Sequence, residues 1–144
     1  MNAIVMPPVD ESVIPRRDAI VAALRAVVGD AHVISAEDER RAYETDALTA
    51  YRAVPLAVVL PGSTEEVSEV LRILNREKVK VVARGAGTSL SGGALPSPDA
   101  VVVGLSRLNR ILDIDYGDRT ARVQTGVTNI TITNITYLAP TAPF

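Results

Sequence analysis

Apolar positions along the chain follow two rhythms, one helical and one extended, and the two alternate. Between Pro15 and Gly29, the residues Ile20, Leu24, Val27 and Val28 stand at i, i+4, i+7 and i+8, on one face of a helix. Pro15 suits the first turn of that helix and Gly29 its C-terminal stop. Ser35-Ala36-Glu37-Asp38 reads as an N-cap with an acid three residues on, opening a short helix that ends near Tyr43. Leu56 to Leu60 is an unbroken apolar run between Pro55 and Pro61, the pattern of a strand buried on both faces. Ser63-Thr64-Glu65-Glu66 is a full capping box. Behind it, Val67, Val70, Leu71 and Leu74 are the expected buried stripe of a helix from Thr64 to Glu77. A second strand follows at Val79 to Ala83, so that strand, helix and strand form a parallel βαβ unit.

The extended rhythm dominates the second half. Ala100 to Val103 reads as a third buried strand closed by Gly104, and Leu105 to Asn109 as a single helical turn. Ile111 to Asp115 and Thr120 to Gln124 flank Tyr116-Gly117-Asp118-Arg119, a hairpin signal. Leu112 and Ile114 alternate with acids, and Ala121 and Val123 with polar residues, so one face of the hairpin is expected to be buried. Near the end Thr128-Asn129-Ile130-Thr131 recurs as Thr133-Asn134-Ile135-Thr136; its β-branched residues favour a strand over a helix. Residues 1–14 hold adjacent prolines and no periodicity and read as a mobile N-terminal segment, leaving 15–144 as the domain. The fold class expected is α+β, a small parallel βαβ layer plus a hairpin.

Composition narrows the chemistry. The 144 residues amount to one domain, 47% hydrophobic but only 3% aromatic, so the core is aliphatic. A net charge of −2 gives no reason to expect nucleic acid as a partner. With no cysteine and one histidine, His32, disulfides, thiol nucleophiles and multi-histidine metal sites are excluded. No basic leader with an apolar core is present, and no run approaches the ~18 apolar residues of a membrane span. The expectation is a soluble cytoplasmic protein without a membrane span. Glu44-Thr45-Asp46 reads as loop carboxylates rather than a catalytic pair.

One stretch carries candidate chemistry. Arg84-Gly85-Ala86-Gly87-Thr88-Ser89-Leu90-Ser91-Gly92-Gly93 holds four of the nine glycines and follows a strand directly. Glycine lets backbone approach a ligand, and successive N–H groups in such a loop form an anion-binding nest. A diphosphate suits it; an unliganded glycine-rich surface turn uses the same residues. The loop is not a P-loop, because Gly93 stands where the lysine belongs, nor the Rossmann fingerprint, because Leu90 stands at the third glycine. Pro96 and Pro98 then break the chain, so the loop is expected to join strand to strand with no helix after it.

That loop closely resembles the pyrophosphate loop of FAD-linked oxidases of the vanillyl-alcohol oxidase type. Glu37-Asp38-Glu39-Arg40, Tyr43-Glu44-Thr45-Asp46, Pro55 to Pro61 and Leu105-Ser106-Arg107-Leu108-Asn109-Arg110-Ile111 extend the resemblance and look like the N-terminal part of the FAD subunit of bacterial glycolate oxidase. The resemblance implies the first half of an FAD-binding domain. It also implies oxidation of a 2-hydroxy acid such as glycolate or D-lactate, with hydride passing to the flavin. On that analogy, backbone groups of Arg84, Gly85, Ala86, Gly87, Thr88 and Ser89 hold the pyrophosphate, while Pro61, Gly92, Gly93 and Gly126 shape the cleft. Some relatives carry a flavin-linking histidine at the place of Thr88, so FAD here is expected to be non-covalent. In the family the segment after Gly126-Val127 is an amphipathic helix, and Leu138-Ala139-Pro140 resembles the opening of its next flavin motif.

The resemblance implies no catalytic base within these residues, and the isolated chain is expected to be inactive and to bind FAD weakly or not at all. Other oxidase subunits and self-association are the partners it suggests. The alternative is a small non-catalytic nucleotide-diphosphate-binding or interaction module derived from the same domain.

Overall fold

A computed structural model describes residues 7–138. Three parallel strands form the centre: β2 (Ala57–Val59), β3 (Lys80–Arg84) and β4 (Ala100–Gly104). A two-residue strand, β1 (Val33–Ile34), pairs antiparallel with β2, giving the order β1-β2-β4-β3. The register sets Val59 against Val103 and Arg84 against Gly104. β2 and β4 are buried along their whole lengths, as unbroken apolar runs require, whereas β3 is the edge strand and leaves Val81 40% exposed. β2 and β3 are therefore not neighbours; the later strand β4 lies between them.

Helices α1 (Arg17–Val28) and α3 (Thr64–Arg76) pack together and on the sheet. Ile20, Val21 and Leu24 of α1 meet Val70, Ile73 and Leu74 of α3 in one aliphatic core with Val59, Val101 and Val103. The stripe on α3 is turned from the one read in the sequence. Leu71 is 42% exposed and Ile73 takes its place at 6%, because the buried face must serve α1 as well as the sheet. At the start of α3, Ser63 Oγ accepts the Glu66 N–H at 3.1 Å, as its capping box requires. The Glu66 carboxylate reaches one residue further back, to the Gly62 N–H at 2.6 Å. The helix ends in a Schellman motif: Val79 N–H donates to the Leu74 carbonyl, Lys78 N–H to that of Asn75, and Lys78 has φ +56°.

Ser35 does not cap the four-residue helix α2 (Glu37–Arg40), whose first turn has no side-chain cap. Three arginines claim the serine instead: Arg25 donates to its hydroxyl at 2.9 Å, and Arg17 and Arg40 to its carbonyl. Residues 8–13, part of the expected mobile N-terminal segment, make three contacts with the rest of the domain. Lys80 Nζ donates to the Pro8 carbonyl, Asp10 N–H to Asp99 Oδ2, and Val13 is 1% exposed.

Strands β5 (Ile111–Asp115) and β6 (Thr120–Val123) form the expected hairpin as a separate two-stranded sheet. A bulge between Ile111 and Asp113 takes Leu112 out of the alternation and leaves it 51% exposed, while Ile111, Ile114 and Val123 are half-buried. No face of the hairpin is fully buried among the described residues. Residues 105–108 form a turn closed by Leu108 N–H on the Leu105 carbonyl, not a helix. Asn129–Leu138 forms a helix, α4, where the β-branched repeat favours a strand. The helix satisfies its own backbone N–H groups without a partner strand. Thr128 Oγ1 meets the Thr131 N–H at the start, and the Thr133 hydroxyl donates back to the Asn129 carbonyl at 3.0 Å. Ala139 and Pro140 lie outside the described residues.

Candidate functional site

Parallel pairing brings the C-terminal ends of β2, β4 and β3 to one edge of the sheet, where open α/β sheets take their ligands. Pro61 follows β2 there and is buried. Arg84 ends β3, and residues 85–99 run from it to β4 with no helix, the expected strand-to-strand loop. The turn at 105–108 follows β4. Gly126 backs onto it, donating its N–H to the Leu108 carbonyl at 2.8 Å. A Cβ at Gly126 would collide with the Leu105 carbonyl oxygen, so only glycine fits. Pro61, Arg84 and Gly85 to Ser89 thus belong to the connections that leave this edge, and Gly126, after β6, rests on the turn that follows β4. Gly92 and Gly93 lie on the returning half of the loop, where Leu95 N–H closes a turn on the Gly92 carbonyl at 3.2 Å.

The first half of the loop is a row of unengaged donors. The N–H groups of Gly85, Ala86, Gly87, Thr88, Ser89 and Leu90 donate to none of the described residues. The next N–H, of Ser91, bonds the Ser89 hydroxyl at 3.2 Å. Nothing lies within 4 Å of a Cβ built on Gly85, so the approach is open. Gly87 has φ +71°, and a Cβ there would strike the Arg84 guanidinium. Unengaged donors in series, with open space at Gly85, fit a diphosphate. In FAD that group would be held by these N–H groups, and the flavin would supply the capacity to accept hydride.

The positive charge beside the loop lies against Gly87 and is engaged by the neighbouring segment 43–45. Arg84 Nη1 donates to the Thr45 carbonyl at 2.7 Å, and the guanidinium carbon sits 5.4 Å from the centre of the Tyr43 ring. Asp46, 4% exposed, accepts the Leu48 N–H at 2.9 Å and the Ala94 N–H at 3.4 Å. Sequence reasoning passed over this strap; its signal is the Asx-turn spacing of Asp46 and Leu48. Arg107 was likewise passed over as a site residue. It donates to the Leu60 carbonyl at 2.7 Å, fixing the chain just before Pro61, and lies 3.7 Å from Glu66. A shallow pocket of about 270 Å³ opens between strap and loop, with Leu48, Tyr51, Ser91 and Gly92 among its walls. At the opposite end of β4, burial would raise the Asp99 carboxyl. The Lys80 ammonium, the Ser97 hydroxyl and the Asp10 N–H outweigh it and hold the group at about 2. No cluster of His, Asp or Glu among the described residues is placed to hold a metal. No helix among them is long and apolar enough to cross a membrane.

Residues 55–137 match the model of the FAD binding domain family. The glycolate oxidase subunit GlcD of Escherichia coli K12 is 46% identical over 116 residues, covering 81% of this chain and 23% of that protein. A D-lactate dehydrogenase of Archaeoglobus fulgidus is 38% identical over 97 residues, covering 67% of this chain and 22% of that protein. Among solved structures, p-cresol methylhydroxylase with substrate bound superposes with a TM-score of 0.77 at 26% identity, over 90% of this chain and 25% of that one. The chain belongs to the FAD binding domain family and has the α+β fold of vanillyl-alcohol-oxidase-type flavoenzymes, with FAD as the family's cofactor. It spans about a quarter of the length of the relatives it matches.

Proposed function

We propose that this chain is the N-terminal FAD-binding part of a flavin-dependent 2-hydroxy-acid oxidase or dehydrogenase, acting on glycolate or D-lactate. The row of unengaged N–H groups from Gly85 to Leu90, at the C-terminal edge of a parallel sheet, carries the cofactor part of this reading. Arg84 contributes backbone to the diphosphate site while its side chain faces Thr45 and Tyr43. Pro61, Gly92, Gly93 and Gly126 shape the surrounding cleft, and Thr88 leaves FAD non-covalent. The hydroxy-acid part is supported by the relatives, GlcD and the D-lactate dehydrogenase, and by the 46% identity that spans the loop's surroundings. A cytoplasmic setting, partnership with other oxidase subunits and self-association of this chain belong to the same reading.

The test is to purify the protein that carries this chain from its source and record its flavin spectrum and its reduction of a dye by glycolate and D-lactate. Flavin absorbance that bleaches with either acid supports the reading. A colourless protein, or a flavoprotein that neither acid reduces, contradicts it.

A further inference from the structure

We propose that Asp46 and Arg84 are positioning residues for the cofactor. They latch the strap Tyr43–Leu48 onto the glycine loop at both of its ends and so hold the N–H groups of 85–90 in one shape. The inference rests on the reading of that loop as the diphosphate site.

At the loop's start, the Arg84 guanidinium donates to the Thr45 carbonyl, stacks on Tyr43, and fills the space that a side chain at Gly87 would need. At its far end, one carboxylate oxygen of Asp46 takes the N–H of Ala94, a residue only 6% exposed. The other takes the N–H of Leu48, whose side chain reaches to 3.5 Å from the Cβ position of Gly92. The strap is itself fixed. Thr45 Oγ1 donates to the Tyr51 carbonyl at 3.1 Å, Ala53 N–H to the Glu44 carbonyl at 2.9 Å, and Arg52 pairs with Glu44 at 3.3 Å. The buried carboxylate holds Leu48 by the closer bond, 2.9 Å, and Ala94 by a longer one, 3.4 Å.

The need for such a latch lies in the loop. Four glycines leave it with more conformational freedom than any other segment of this length, and its own N–H groups from 85 to 90 make no bonds that would fix it. A ligand that had to order it alone would lose affinity; contacts made beforehand from outside remove that loss. Asp46→Asn keeps the shape but replaces one acceptor oxygen with a donor that faces an N–H. Asp46→Ala removes both acceptors. Arg84→Lys keeps the charge but loses the planar group that bridges Tyr43 and Thr45.

The test compares the parent chain with these three variants by ¹⁵N relaxation and by titration with FAD. The glycine N–H order parameters at 85, 87, 92 and 93 are expected to fall from parent to Asp46→Asn to Asp46→Ala, below about 0.6 in the last. Those of β2 and β4 should hold. FAD affinity is expected to drop about tenfold in Asp46→Ala and in Arg84→Lys. Unchanged glycine order parameters in all three variants would overturn the latch. So would a looser loop that binds FAD as the parent does. If FAD does not bind the parent chain at millimolar concentration, the order parameters alone decide the latch, and a loop as rigid in the variants as in the parent overturns it.

Discussion

Lys80 Nζ lies 2.7 Å from Oδ2 of Asp99, a residue with no exposed surface. The same carboxylate accepts the Ser97 hydroxyl at 2.6 Å and the Asp10 N–H at 2.8 Å, so it ties the N-terminal segment to the starts of β3 and β4. Its pKa is lowered from 3.8 to about 2, the partners outweighing burial. Stability from this group is therefore fully present above pH 4 and is lost as pH falls from about 4 through 2. It amounts to at most about 2 kcal/mol, less what water around the 39% exposed Lys80 screens. Urea unfolding at pH 7 should find Asp99→Asn less stable than the parent by at most about 2 kcal/mol. The two should converge as the pH approaches 2; a difference that persists there would refute the assignment.

Helix α3 buries Ile73 and exposes Leu71. Ile73→Ala should cost about 2–4 kcal/mol and Leu71→Ala well under about 1 kcal/mol. Thermal melts of the two variants decide it, and equal losses would put the helix face back where the periodicity alone suggests.

Lys78 holds φ +56° at the end of that helix, a conformation that costs a side chain and not glycine. Lys78→Gly should raise stability by about 0.5–1 kcal/mol, read as a higher urea midpoint. A lower midpoint would contradict the Schellman geometry.

Gly126 sits where any Cβ meets the Leu105 carbonyl. Gly126→Ala should destabilise by at least about 2 kcal/mol and shift the NMR signals of Leu105 to Leu108. A neutral substitution would mean that the segment after β6 does not rest on this turn.

What was legible in the sequence follows from how local each signal is. The unbroken apolar runs at 57–59 and 100–103, the capping box at Ser63 and the glycine stop at Gly29 state their own structure, and each element stands where it reads. Residues 84–93 were legible as the start of a strand-to-strand loop because glycine spacing and the following prolines are local too. Misreadings occurred where a partner from elsewhere decides. Ile73 is buried by α1, and Ser35 is claimed by Arg17, Arg25 and Arg40. The bulge at Leu112 depends on β6, and the 129–138 helix overrides the β-branched propensity of its repeat. Of the strap held by Asp46 and Arg84 only the local Asp46–Leu48 turn has a sequence signal; its contact with the loop does not, since Ala94 is 48 residues from Asp46.

The central claim is that the N–H groups of 85–90 receive the diphosphate of FAD. A ¹H–¹⁵N spectrum of the 144-residue polypeptide, recorded while FAD is added, tests it most directly. Ordering a loop of four glycines opposes binding, so it should be weak, with Kd above about 10 μM. Acid precipitation of the protein should leave all flavin in solution. The account predicts saturable shifts at Gly85, Ala86, Gly87, Thr88, Ser89 and Leu90, reversed by inorganic pyrophosphate. Saturable shifts elsewhere with these six amides unmoved would contradict it.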